Sequence, residues 1–141
     1  VRKAPAEPED KDVAAERERT WASLDEEKAN TKDGKKKKIK AAVRMLDLNK
    51  VYPAANGNPP KEAVMNTAMM VQQGECFGLL GPNGSGKTTT INMCCGYLAP
   101  TSGTATMMGL DIYKDIDLIR MLMGVCTQDN VIWETLTGRE V

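Results

Sequence analysis

The chain contains no histidine. Its four cysteines, Cys76, Cys94, Cys95 and Cys126, show no C-x-x-C spacing, so neither imidazole nor paired thiolates are available for a zinc site. Their neighbours are apolar, and they read instead as small buried hydrophobes of a reducing compartment. There is no excess of either charge: Lys and Arg number 19 and so do Asp and Glu, which leaves no global field to attract nucleic acid or an acidic partner. Aromatic residues are few, and none interleaves with the basic run at Lys35–Lys38, so a nucleic-acid surface is not expected. No apolar run approaches the roughly 18 to 20 residues of a membrane span, and no signal-peptide pattern opens the chain. Any membrane role must come through another segment or a partner. The sequence opens on Val1 rather than Met and stops at Val141 just after a helix-like start, and it reads as a piece of something longer.

What is present is concentrated at Gly81-Pro82-Asn83-Gly84-Ser85-Gly86-Lys87-Thr88, which fits G-x-x-x-x-G-K-[ST], the phosphate-binding loop. A random chain of this length would match it roughly once in a few hundred times, given ordinary residue frequencies. The flanks supply the context the motif requires. Residues 75–80 (ECFGLL) read as a short buried strand, and Thr88 to Cys95 as a helix stopped by Gly96 and Pro100. Gly81 allows a sharp turn off the strand. Gly84 and Gly86, lacking Cβ, let the backbone approach an anion closely. The amides from about Gly84 to Thr89 then form an anion nest reinforced by the helix N-terminus. Lys87 would reach the β- and γ-phosphates of a nucleotide, and the Thr88 hydroxyl would hold Mg²⁺.

Around this centre the chain divides at residue 40. Residues 1–40 are mixed in charge, with Pro5 and Pro8 near the start, and read as a solvated linker that is disordered or holds a marginal helix. Asp12 to Lys28 could be helical, yet only Val13, Trp21 and Leu24 offer an apolar side, too little for a core. Residues 41–141 have room for one domain. Ala41 to Asn49 and Ala63 to Val71 read as strands joined through the turn cluster Asn56-Gly57-Asn58-Pro59-Pro60. Thr104 to Met108 reads as a further strand ended by Gly109. Asp115 to Met123 has helical spacing, and Val125 to Thr127 a short strand leading to Gln128. There is no internal repeat.

Three blocks, GECFGLLGPNGSGKTTTINM, PTSGTATMMGLDI and MGVCTQDNVIWETLTGRE, taken together resemble the first half of an ATP-binding-cassette (ABC) ATPase domain. They are most similar to subfamily A of the cassette transporters, of the plant and algal type, whose members are associated with lipid export. The resemblance covers Val43 to Val141, about 70% of the chain. It implies an α/β fold, a P-loop NTPase core with an antiparallel β-subdomain, incomplete in these residues. It implies ATP and Mg²⁺ as ligands, contacted by Gly81, Pro82, Asn83, Gly84, Ser85, Gly86, Lys87, Thr88 and Thr89. Tyr52 matches the family's aromatic that stacks on adenine, a contact worth roughly 1 to 3 kcal/mol by analogy with base stacking. Gln128 falls at the family's glutamine loop, where the amide contacts Mg²⁺ or the attacking water; the family's flanking Pro and His are here Thr127 and Asp129. Lys87 and Gln128 are thus the catalytic candidates, Thr88 and Gln128 those for the metal. The implied partners are the transmembrane domains of the same transporter and a second nucleotide-binding domain, in a head-to-tail ATP sandwich on the cytosolic face of a membrane.

The signature loop, the strand ending in Asp-Glu and the switch histidine of a cassette do not occur before Val141. Phosphoryl transfer needs several groups positioned at once, so these residues alone are expected to bind nucleotide and hydrolyse little. Two other readings stand beside the transporter ATPase: a truncated, non-catalytic nucleotide-binding module, and a soluble cassette or other P-loop enzyme. A GTPase is disfavoured, since Asn49-Lys50-Val51-Tyr52 lacks the final Asp of the guanine-reading Asn-Lys-x-Asp motif and lies too early.

Overall fold

The computed structural model describes residues 10–32, 41–55, 57–126, 137 and 139. Two long strands, β1 (Ala41–Tyr52) and β2 (Lys61–Gln72), form an antiparallel hairpin around the turn that carries Gly57. After β2 come the loop, helix α2 (Lys87–Cys94), strand β3 (Ser102–Met107), the two-residue strand β4 (Leu110–Asp111) and helix α3 (Ile116–Leu122). The four strands make one sheet in the order β2-β1-β3-β4. With α2 and α3 packed on it, this is the α/β arrangement with an antiparallel sheet that the sequence implies.

The alternation of β1 explains its place at the centre. Val43 and Met45 face α2 and α3, while Arg44 and Leu46 face the other way. At Asp47, with φ of 48°, the strand bulges: Met45 pairs with Met69 but Leu48 with Thr67, three residues against two. The extra residue returns Leu48 to the same face as Met45. There Met45, Leu48, Val64, Ala105, Met93, Cys94, Ile112 and Ile119 close the core. Burying each of the larger side chains contributes on the order of 2 kcal/mol. Helix α3 is tied back to the end of α2 by Arg120, whose Nη2 donates to the Gly96 carbonyl at 3.1 Å.

On the opposite face lies helix α1 (Lys11–Lys32), within the stretch expected to be a linker. It is docked by polar groups. Arg17 Nε meets Asp47 Oδ1 at 2.8 Å, and Trp21 Nε1 points to the same oxygen at 3.5 Å. Glu16 accepts from the Met70 amide at 3.1 Å. Arg44 donates from Nε to Ser23 Oγ at 3.0 Å and from Nη1 to Glu27 Oε2 at 3.1 Å; its Nη2 sits 2.9 Å from Glu27 Oε1 as a charge contact without hydrogen-bond alignment. Residues 16, 20, 23 and 27 lie on one stripe at helical spacing. The face that seats the helix exists, but it is hydrophilic, which is why a search for apolar periodicity does not find it.

Residues 75–80, expected as a buried strand, are not one. No strand is formed there, Leu80 is 91% exposed and Phe77 is 46% exposed. A doubly covered strand is defined by its neighbours, and among the described residues no strand runs beside this segment. Val125 and Cys126 likewise form no strand and are exposed, and Thr127 lies outside the described residues. Gly109 does more than end β3. With Met108 (φ 50°) and Gly109 (φ 78°) both left-handed, it makes a two-residue hairpin turn into β4.

Two outcomes follow from this packing. Arg44→Met removes the cation from a pair whose side chains are 2% and 7% exposed. It is expected to cost about 3 kcal/mol and to raise amide exchange across 11–32, read by urea unfolding and hydrogen exchange. Cys94 is buried, and burial, aided by the charge of Cys95, pushes its thiol up to about 11. At pH 8 only about one Cys94 in a thousand is then thiolate, so a thiol reagent should modify exposed Cys76 and Cys126 first and leave Cys94 until the protein unfolds.

Candidate functional site

The loop 81–86 leaves the exposed segment 75–80 and turns into α2 across the edge of β2. Gly84 (φ 83°) and Gly86 (φ 88°) both adopt the left-handed conformation. At Gly86 a side chain is excluded twice over, because a Cβ there would collide with the carbonyl oxygen of Ala63 on β2 and crowd Val64 at 3.2 Å. Gly86 is also the N-cap of α2, and no side chain caps the helix. The first helical ladder bond runs from the Thr90 amide to the Gly86 carbonyl at 2.8 Å, so the amides of Lys87, Thr88 and Thr89 have no acceptor within the helix. This end of α2 therefore presents a set of donors with the positive end of the helix dipole behind them.

The lysine is held over the same loop. Lys87 Nζ donates to the carbonyls of Gly81 and Pro82 at 2.7 and 2.8 Å, and the Ser85 amide closes a turn onto Pro82 at 3.3 Å. Gly81, Pro82 and Ser85 thus shape the loop through their backbone and position the ammonium. Opposite, the last residue of β1 brings Tyr52 to the site, its hydroxyl 3.4 Å from Thr89 Oγ1.

A cavity of about 340 Å³ connects these groups. It collects Tyr52, Asn83, Gly84, Gly86, Lys87, Thr88 and Thr89, all marked by the sequence, around one space. Gln128 lies outside the described residues. Two further lining residues, Lys61 and Ala63, were not singled out by the sequence. Their signal was the hairpin: Tyr52 pairs with Lys61, and Ala63 is the extra residue of β2 at the register shift between Lys50 and Val51, which simple alternation does not mark. The donor set fits a polyphosphate, with backbone amides and an ammonium for the oxygens, a hydroxyl at Thr88 suited to a hard cation, and an aromatic face at the far end. A second cleft of about 240 Å³, between Trp21 and the outer face of the sheet, is lined by no basic side chain and does not fit a polyphosphate.

The family described as ABC transporter matches residues 64–141. Among curated proteins, the chain is similar to ABC transporter A family member 7 of Arabidopsis thaliana, with 58% identity over 99 residues that cover 70% of this chain and 11% of that protein. It is also similar to A family member 8 of the same plant, 45% identical over 140 residues, 99% of this chain and 14% of that protein. The chain therefore spans less than a sixth of the length of these relatives. Among solved structures, the ATP-binding subunit of an ABC transporter aligns with a TM-score of 0.57 at 26% identity, over 68% of this chain and 38% of that one.

Gly86→Ala should collapse the cradle, since the new methyl group meets the backbone of Ala63. Calorimetric titration with tripolyphosphate is expected to show at least about a tenfold loss of affinity, from backbone strain together with the clash. Gly57→Ala is the control: it also sits at positive φ, but nothing lies within 4 Å of its added Cβ, and binding should be unchanged.

Proposed function

Because the chain belongs to the ABC transporter family, we propose that it is the ATP-binding first part of a transporter ATPase that couples ATP binding and hydrolysis to transport across a membrane. The observation that carries this reading is the uncapped N-terminus of α2, sharing one cavity with Lys87 and Tyr52. The ligand is ATP with Mg²⁺. In this reading the amides of 86–89 and Lys87 hold the phosphates, Thr88 Oγ1 ligates Mg²⁺, Thr89 lies beside the phosphate nearest the ribose, and the ring of Tyr52 stacks on the base. Gln128, by its place in the family pattern, reaches toward Mg²⁺ and the attacking water. The resemblance to subfamily A, whose members are associated with lipid export, leads us to propose a lipid or amphipathic substrate.

Binding is what these residues supply. Lys87, Thr88 and the amides stabilise bound and transition-state phosphates alike, and uniform binding of that kind lowers the Michaelis constant without raising turnover. Turnover requires a base and a capping loop that the 141 residues do not contain. We assign those to a second nucleotide-binding domain facing this one head to tail, and to the rest of the parent protein. Transmembrane domains of the same transporter then place the cavity on the cytosolic side. No helix among the described residues is long and apolar enough to cross a membrane.

The expected measurement is a pair of titrations. Lys87→Ala should weaken ATP by about ten- to a hundredfold, the size of a lost charge-assisted contact. Thr88→Ala should leave the affinity in EDTA unchanged and abolish the gain on adding Mg²⁺. Equal ATP affinity in wild type and Lys87→Ala overturns the assignment.

A further inference from the structure

Tyr52 is the terminal residue of β1 and 38% exposed, so its own packing does little to orient the ring. The neighbouring turn supplies that order. Lys50, two residues earlier and therefore on the same face of the strand, lays its ammonium 5.5 Å from the centroid of the Tyr52 ring. The ammonium does not float there: it donates to the carbonyl of Ala99 at 2.7 Å.

Ala99 belongs to the turn that follows α2, and this turn is sewn to the end of β1. The Thr101 amide donates to Asn49 O at 2.9 Å, the Val51 amide to Thr101 Oγ1 at 3.0 Å, and Thr101 Oγ1 in turn to Val51 O at 3.3 Å. The turn is an extension of the phosphate-binding helix, since the amides of Tyr97 and Leu98 both bond the Asn92 carbonyl. Lys50 thus connects the ring of Tyr52, through a fixed carbonyl, to the same helix whose other end carries Lys87 and Thr88. A cation over one face of an aromatic ring is attracted by its quadrupole, and the occupied face is closed to other partners. With the hydroxyl near Thr89 as well, the ring has one face left for a ligand.

We propose that Lys50 is a positioning residue for the base platform: its ammonium, anchored on Ala99, holds the Tyr52 ring so that a single face is offered to the nucleotide base at a fixed distance from the phosphate cradle. The proposal rests on the reading of Tyr52 as the base-stacking residue. A ring ordered before binding loses less freedom on binding, so the effect appears as affinity for the base-bearing ligand alone.

The test compares ATP with inorganic tripolyphosphate, titrated calorimetrically into the full 141-residue chain. Lys50→Met keeps the aliphatic stem and removes the charge. It should weaken ATP by about three- to tenfold and leave tripolyphosphate within about twofold, as expected for loss of a partly desolvated cation–π contact. Lys50→Arg, which can donate to the same carbonyl and stack on the same ring, should restore ATP affinity to within about twofold of wild type. In a Tyr52→Ala background, Lys50→Met should cause no further loss, because the two residues act as one unit. The positioning role is overturned if Lys50→Met leaves ATP affinity unchanged while Lys87→Ala still reduces it. An equal loss of tripolyphosphate, which marks a general charge or folding effect, overturns it too, as does a full additional loss without Tyr52. If Lys87→Ala changes neither ligand, the nucleotide-site reading itself fails, and that outcome is separable from the others.

Discussion

The loop and the sheet meet backbone to backbone where Gly86 lies against the carbonyl of Ala63, with no room between them for a single methyl group. Much of the site is measured from that contact. The antiparallel register places Ala63, and with it Lys61 and the facing Tyr52. Gly86 then sets where α2 begins, and the start of α2 sets where its open amides point. The aromatic at one end of the cavity and the donors at the other are consequently referred to the same two strands. Neither a longer side chain at position 86 nor a shifted hairpin register would preserve their separation.

The other face of the sheet is governed by charge. Helix α1 gives a cation to Asp47 through Arg17 and an anion to Arg44 through Glu27. Reversing the helix would bring Arg17 toward Arg44 and Glu27 toward Asp47, two like-charge encounters in a region with little water. Pairs of this kind add little net stability over apolar packing, because desolvation opposes the Coulomb term. Here they select one direction and one register for a helix whose apolar residues select neither.

These two faces also explain which parts of the chain could be read in advance. The loop geometry at 81–88 was legible because the motif has particular residues at fixed spacing: Gly84 and Gly86 take the left-handed backbone, and Lys87 folds its ammonium back over the loop. The β1–β2 hairpin and α3 were legible from their periodicity, to within a few residues at each end. Three features were not. The seat of α1 is polar, and the rule that finds buried faces counts only apolar positions. The segment 75–80 has the composition of a buried strand, but burial is conferred by neighbours and not by composition. Lys50 and Lys61 look like ordinary solvated lysines, and only strand pairing, which brings Lys61 to the cavity, and the turn at 99–101, which holds Lys50 beside Tyr52, give them a place.

The exposed segment 75–80 has a consequence for the order in which the molecule comes together. The pairs β1–β2 and β3–β4 join strands adjacent in sequence, while β1–β3 closes over β2, the loop and α2. The two hairpin pairings are of short reach and close early, and N-terminal elements are made first during synthesis. The antiparallel half can thus be in place while the chain is still emerging. The loop at 81–86 then has one flank fixed by α2 and the other, at Leu80, bare to water. A loop gripped on one side only takes its stiffness from α2 and from the contact of Gly86 with Ala63, and not from the segment that leads into it.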